Sequence, residues 1–174
     1  VRARGYDFTS RWRVAAGPPQ CWAAAERMLR PGAATWWPGV SVAGAPSRMA
    51  PGERIALVVR SPFGYRLRVH LTVVSLAPGR RLVVRSDGDL AGVGTVELAP
   101  AGAAATEIIV RWCVSTRRPW MNATAAVLRP VFVAAHAVVM RAGERGLRRA
   151  VARASEPRNA GSSALASGAA VPRG

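Results

Sequence analysis

Residues Arg111 to Arg149 run from a strand pattern directly into a long helical one, and this junction restricts the fold more than any other stretch of the chain. With 100° per residue counted from Leu128, Met121, Phe132, Ala135, Val139, Ala142 and Gly146 fall within about 40° of one line. Ala134, Arg141, Glu144, Arg145 and Arg148 fall on the opposite side, as a solvated face should. The apolar line is rich in small residues and therefore lightly filled. Pro130 lacks an N–H and clashes with the preceding turn, which predicts a break or kink near Leu128 to Pro130 and the start of the main helix there.

Such a helix needs a surface to cover, and the preceding residues supply one. Tyr6, Phe8, Ser10, Trp12 and Val14 alternate with Asp7, Thr9, Arg11 and Arg13, the signature of a half-buried strand. Pro18-Pro19 opens a helix carrying Cys21, Trp22, Ala25, Met28 and Leu29, and Pro31-Gly32 stops it. Trp36-Trp37-Pro38-Gly39 reads as a loop or a short second helix whose paired indoles plug one end of a core. From Arg54 the period becomes two. Ile55, Leu57 and Val59 share one face; after the Ser61 to Gly64 turn, Tyr65, Leu67, Val69, Leu71 and Val73 share the next, with Arg66, Arg68, His70 and Thr72 outside. Strands over Arg80 to Asp87, Val93 to Leu98 and Thr106 to Thr116 follow, joined by turns at Asp87-Gly88-Asp89 and Pro100-Ala101-Gly102. The last carries Ile108, Val110, Trp112 and Val114 on one face.

Short turns between successive strands favour antiparallel neighbours with one wet face. The expected class is α+β: a curved antiparallel sheet of about six to seven strands wrapped around a long C-terminal helix, with a short helix pair after the first strand. Residues 1–152 form the domain and 153–174, small and polar without periodicity, a disordered tail.

The chain has 174 residues, enough for one domain with a real core. Its formal charge of +16 comes from 25 arginines without a lysine. Arginines spread from Arg2 to Arg173, beside abundant Ala, Gly and Pro, read as compositional bias at ordinary surface positions. Nucleic-acid or acidic-partner binding through surface arginines is the alternative, and would require them to concentrate on one face among base-stacking aromatics. No apolar run reaches the roughly 20 residues of a bilayer span, and no charged-then-apolar leader opens the chain. Cys21 and Cys113 are far apart and fit free thiols. A cytoplasmic protein, monomer or homodimer, is expected.

Several phrases carry a resemblance: WWPGV at Trp36 to Val40, RLVVRSDGDLAGVGTVEL at Arg81 to Leu98, RPWMN at Arg118 to Asn122, and RPVFVAAHAVVMRAGERGL at Arg129 to Leu147. Together with the element order they resemble the helix-grip superfamily known as START-like or SRPBCC, which includes polyketide cyclases and lipid-transfer domains. The resemblance covers roughly residues 5 to 150. It implies a deep cavity between sheet and helix that holds a hydrophobic molecule, polyketide-like, isoprenoid or lipid. It does not choose between carrying such a molecule and cyclising it. Ala135 stands where relatives commonly carry Asn, so no polar role is transferred to that position.

The candidate ligand-binding residues are Phe63, Tyr65, Leu67, Val69, Trp112, Asn122, Phe132, His136 and Val139. Phe63, Tyr65, Trp112 and Phe132 line either a pocket or plain core, because a curved sheet under an alanine-rich helix is hard to fill; Trp12 and Trp37 read as core. His136, at the edge of the covered face, is either a pocket acid, base or donor or a satisfied structural histidine. His136 and Tyr65 are the only catalytic candidates for a cyclase or aromatase, the alternative to a non-enzymatic binder. Histidines and cysteines are too few and too scattered for a metal site, and neither metal nor cofactor is expected. No GxSxG elbow is present, and Gly92-Val93-Gly94 is too short for a dinucleotide fingerprint. Asp87 and Asp89 suit a turn better than a catalytic carboxylate pair.

Overall fold

The computed structural model describes residues 5–30, 32–117 and 119–156, with backbone only over 119–128. The order is β1 (Gly5–Val14), α1 (Pro18–Met28), β2 (Val40–Gly44), β3 (Arg54–Arg60), β4 (Arg66–Ala77), β5 (Arg81–Gly88), β6 (Leu90–Pro100), β7 (Thr106–Thr116) and α2 (Pro119–Ser155). All seven strands form one antiparallel sheet in the order β1-β7-β6-β5-β4-β3-β2. The first two strands thus occupy opposite edges, and α1 with the tryptophan loop carries the chain between them.

The period-two pattern sets the layers. In β1, Tyr6, Trp12 and Val14 are buried while Asp7, Arg11 and Arg13 are exposed. In β4, Leu67, Val69 and Val73 are buried while Arg66, Arg68 and His70 are exposed. A register shift between Val73 and Ser75 leaves Val74 as an extra residue, 51% exposed, and bends the long strand β4. A second irregularity lies in β2 between Val42 and Gly44.

Three features differ from the sequence reading. Among the described residues no second helix directly follows α1: Trp36 to Gly39 form bends and turns leading into the short strand β2. Helix α2 runs without interruption across Pro130, starting at Pro119 and not near Leu128. A proline removes one hydrogen bond of the ladder, and flanking turns hold the segment together when they are packed. The helix also continues to Ser155, beyond the expected domain boundary at 152, and residues 157–174 lie outside those described.

The covered face of α2 is turned slightly from the predicted line. Phe132, Ala135, Met140, Gly143, Gly146, Leu147 and Val151 are buried, whereas Ala142 is only half-buried. Glu144, expected in solvent, is half-buried because it works on the sheet edge. Its Oε1 accepts the Arg13 backbone N–H at 3.0 Å, and Arg148 Nε donates to the Arg13 carbonyl at 2.7 Å. Arg148 also pairs with Glu144 at 2.7 Å. Strand β1 is an edge strand, so these two side chains satisfy backbone groups that the ladder leaves open.

Glycines set the closest approach of helix to loop. A Cβ at Gly143 would lie 2.5 Å from Trp37 Cε2, and one at Gly146 would run into the Trp36 carbonyl oxygen. The indole N–H of Trp36 donates to the Ala24 carbonyl of α1 at 2.9 Å, and that of Trp37 to the Val139 carbonyl of α2 at 2.8 Å. Each of these part-buried N–H groups thus has a backbone acceptor.

Gly146→Ala tests this contact because helix propensity and packing pull in opposite directions. Propensity favours alanine by about 1 kcal/mol in a helix interior, while the clash with backbone costs about 1–3 kcal/mol. We expect no gain and a net loss of up to about 2 kcal/mol in urea unfolding; a stabilised variant would show that the loop does not bear on the helix.

Candidate functional site

Buried apolar residues fall into two clusters. One gathers Trp12, Val14, Cys21, Ala24, Ile108, Met140, Leu147 and Val151, with Trp36 and Trp37 against it. The other gathers Tyr6, Leu67, Val69, Val114 and Phe132, with Phe8, Tyr65, Leu71 and Trp112 against it. A cavity of about 250 Å³ touches both.

Its floor is the concave sheet face. Leu67, Val69 and Leu71 come from β4, Val84 from β5, Gly94 and Val96 from β6, and Trp112 from β7. Trp112 lies across Gly94, its direct partner in the β6–β7 register; a Cβ there would enter the indole ring. Glycine inside a strand marks such a close approach. The roof is α2, through Phe132, Ala135, His136, Val139 and Met140, and Trp37 is part of the wall.

One wall is a run of rings. Tyr65 meets Phe132 edge-on at 6.0 Å, Phe132 meets Tyr6 edge-on at 6.3 Å, Tyr6 stacks on Phe8 at 5.6 Å, and Phe8 stacks on His136 at 4.0 Å. Edge-to-face and offset contacts of this kind add to area burial and fix ring orientation. Ser61, Tyr6, Tyr65 and His136 are the hydroxyl- and imidazole-bearing residues of an otherwise aliphatic and aromatic lining.

His136 is the titratable group of interest. Burial drives its pKa down from 6.5 to about 4, because an imidazolium in these surroundings loses its hydration. Its partner is the flat face of Phe8, and among the described residues it has no hydrogen-bond partner. The imidazole is therefore neutral near pH 7, with a donor and an acceptor nitrogen available.

The structure brings together most of the residues singled out in the sequence. Tyr65, Leu67, Val69, Trp112, Phe132, His136 and Val139 all line the one cavity. Phe63 does not: it is 55% exposed at the tip of the β3–β4 turn, where Ser61 Oγ accepts its backbone N–H at 3.1 Å. Alternation fixes side chains along a strand, but the turn geometry decides them at its tip, and here Ser61 and Tyr65 face inward. The side chain of Asn122 lies outside the described residues. Trp37, expected as core, also lines the cavity, whereas Trp12 is 5% exposed within the first cluster.

Residues missed by the sequence reading include Tyr6, Phe8, Gly94 and Ala135. Tyr6 and Phe8 carried a usable signal. They share the inward phase of Trp12, and the register sets Phe8 opposite Trp112.

Elsewhere, Asp89 Oδ2 accepts the Arg68 N–H at 2.7 Å and Asp87 pairs with Arg117 at 3.6 Å, so neither carboxylate lines the cavity. Cys21 is buried and Cys113 exposed, both as free thiols. Cys113 Sγ donates to Asp7 Oδ1 at 3.3 Å on the outer face. No group of three or more His, Cys, Asp or Glu among the described residues is arranged to hold a metal ion. No helix of the described residues is long and apolar enough to cross a membrane.

The lowered pKa of His136 links to stability with a definite sign. Between pH 6.5 and about 4 the unfolded chain takes up a proton that the folded chain resists, so acidification destabilises the fold. Relative to His136→Phe, which keeps a ring against Phe8, the native protein is expected to lose about 2 kcal/mol between pH 7.5 and pH 5. Urea unfolding of both proteins at the two pH values measures this, since carboxylate contributions cancel in the difference. Parallel pH dependences would mean that His136 titrates normally.

No family model and no curated protein matches the sequence. Solved structures do. A protein from Thermus thermophilus superposes with TM-score 0.68 at 18% identity, over 87% of this chain and 100% of its own. An aromatase/cyclase from a Streptomyces species superposes with TM-score 0.69 at 16% identity, over 90% of this chain and 99% of its own. A Mycobacterium smegmatis protein gives 0.60 at 14% identity, over 85% and 92%. Seven antiparallel strands curved about a long C-terminal helix, together with these structural neighbours, give the chain a helix-grip α+β fold.

Proposed function

We propose that the protein binds a hydrophobic small molecule in the cavity between the sheet and α2. One observation carries this reading: the two buried clusters leave about 250 Å³ unfilled where close packing would be expected. An apolar cavity of about 150 Å³ accommodates benzene, so this one suits a molecule of about two to three fused six-membered rings, or an isoprenoid or acyl segment of similar volume. The aromatic wall favours a flat, unsaturated ligand through ring contacts.

A second reading is an enzyme of the cyclase or aromatase kind on the same scaffold, and it is supported by His136 and Tyr65 facing one cavity and by the fold shared with the Streptomyces aromatase/cyclase. Against it stands the pKa of His136 near 4, which makes the imidazole a weak proton acceptor at neutral pH. Binding is therefore the first reading. Polyanion binding has less support, since the arginines sit outside and several are matched: Arg81 and Arg111 with Glu97, and Arg11 with Glu107. Tyr6, Phe8, Tyr65, Trp112 and Phe132 line the cavity and do not interleave with the arginines as base-stacking groups would.

Filling the cavity should abolish binding without unfolding the protein. In isothermal titration calorimetry, naphthalene is expected to bind with a Kd on the order of tens of micromolar or better. Ala135→Trp, which projects an indole from the roof, should weaken it by about tenfold or more at unchanged fold. Equal heats for both proteins would place the binding elsewhere. Turnover of an aromatic poly-ketone that is lost in both His136→Ala and Tyr65→Phe would favour the enzyme reading.

A further inference from the structure

The cavity's charge, and not only its size, points to a narrower ligand class. The chain carries 25 arginines and nine acidic residues, yet none of the described residues lining the cavity is an arginine, aspartate or glutamate. Arg129 approaches the Tyr6 ring at 5.7 Å, but it is exposed and belongs to a shallow outer crevice beside Asp7 and Cys113. A bound carboxylate or phosphate would lose its hydration here without gaining a counter-ion from the described residues, which is costly for an isolated charge.

The polar atoms that do face the interior suit a neutral group. His136 projects from the roof, held by its 4.0 Å stack on Phe8, with no hydrogen-bond partner among the described residues. Being neutral, it offers one donor and one acceptor nitrogen. A hydroxyl, ketone or amide on the ligand matches one of these and leaves no charge unpaired. The structure assigns to this site, given that the cavity is a binding site at all, selectivity for uncharged ring compounds bearing a single hydroxyl, carbonyl or amide against His136, with exclusion of the corresponding carboxylates.

A matched set of probes separates this from the general binding reading: naphthalene, 2-naphthamide and 2-naphthoate, titrated at pH 7 into the full chain and into His136→Phe. The three share one ring system. 2-Naphthamide should bind several-fold more tightly than naphthalene, and 2-naphthoate about 30-fold or more weakly than the amide. In His136→Phe the advantage of the amide over naphthalene should vanish, the two ligands being compared within the same variant and its folding being checked separately by circular dichroism and urea unfolding. Naphthoate binding as well as the amide would overturn the selectivity and leave the cavity intact as a binding site. An amide advantage that survives His136→Phe would overturn the role of His136. Failure of all three probes would remove the binding reading and this one with it.

Discussion

The rest of the structure depends on how closely the tryptophan loop approaches α2. Gly143 and Gly146 are the points where the helix presents no side chain, and Trp36 and Trp37 fill that space. Their stacked rings, 5.8 Å apart and nearly parallel, join one helix to the other through N–H donors directed at Ala24 and Val139. The edge-on contact of Trp37 with Trp12 at 5.2 Å ties the same unit to β1. With Glu144 and Arg148 bonded to the backbone of Arg13, one end of α2 is fixed on two sides. A helix held this way cannot settle fully onto the sheet along its remaining length. The cavity follows from that restraint, because the residues left to span the gap at the roof include Ala135 and Val139, too short to close it.

The sheet contributes in the opposite sense. Bulged strand β4 bends, and Trp112 lies flat over Gly94 where an upright side chain would have reached toward the helix. A glycine beneath an aromatic ring is a local loss of β propensity that restores contact area through the ring itself. The same pair deepens the floor. Cavity formation is therefore distributed over β4, β6, β7 and α2, and no single large-to-small position accounts for it.

Periodicity made much of this readable. Alternation in β1, β4 and β7 placed Trp12, Leu67, Val69 and Trp112 on the inner face, and the strand-to-helix junction at Arg111 to Arg149 identified the cover. What escaped was decided by contacts between segments distant in sequence. Phe63 reads from the sequence as a pocket or core residue, whereas the turn geometry sets Ser61 and Tyr65 inward in its place. The covered face of α2 is turned toward Gly143, which carries no hydrophobic signal yet, with Gly146 of the predicted line, meets the tryptophan loop most closely. Gly94 was weighed only as part of a nucleotide motif, while its meaning lay in a cross-strand neighbour that register alone reveals. Pro130 lies inside α2 and does not end it, because a local steric rule omits the stabilisation of flanking turns.

Charge and cavity are two outcomes of one alternating pattern. Along each strand a step of one residue exchanges the convex face for the concave one, so Arg66 and Arg68 are as firmly outside as Leu67 and Val69 are inside. The high positive charge therefore enters the interior nowhere along β4, and its Coulomb effect on the cavity is exerted through solvent, where screening is strong. His136 departs from this segregation because it belongs to the helix, whose period permits a polar residue at the margin of an apolar face. Its stack on Phe8 keeps it there, and burial keeps it uncharged. Among the described residues the lining of the cavity is consequently uncharged in a strongly basic chain, with its polarity confined to a few hydrogen-bonding groups.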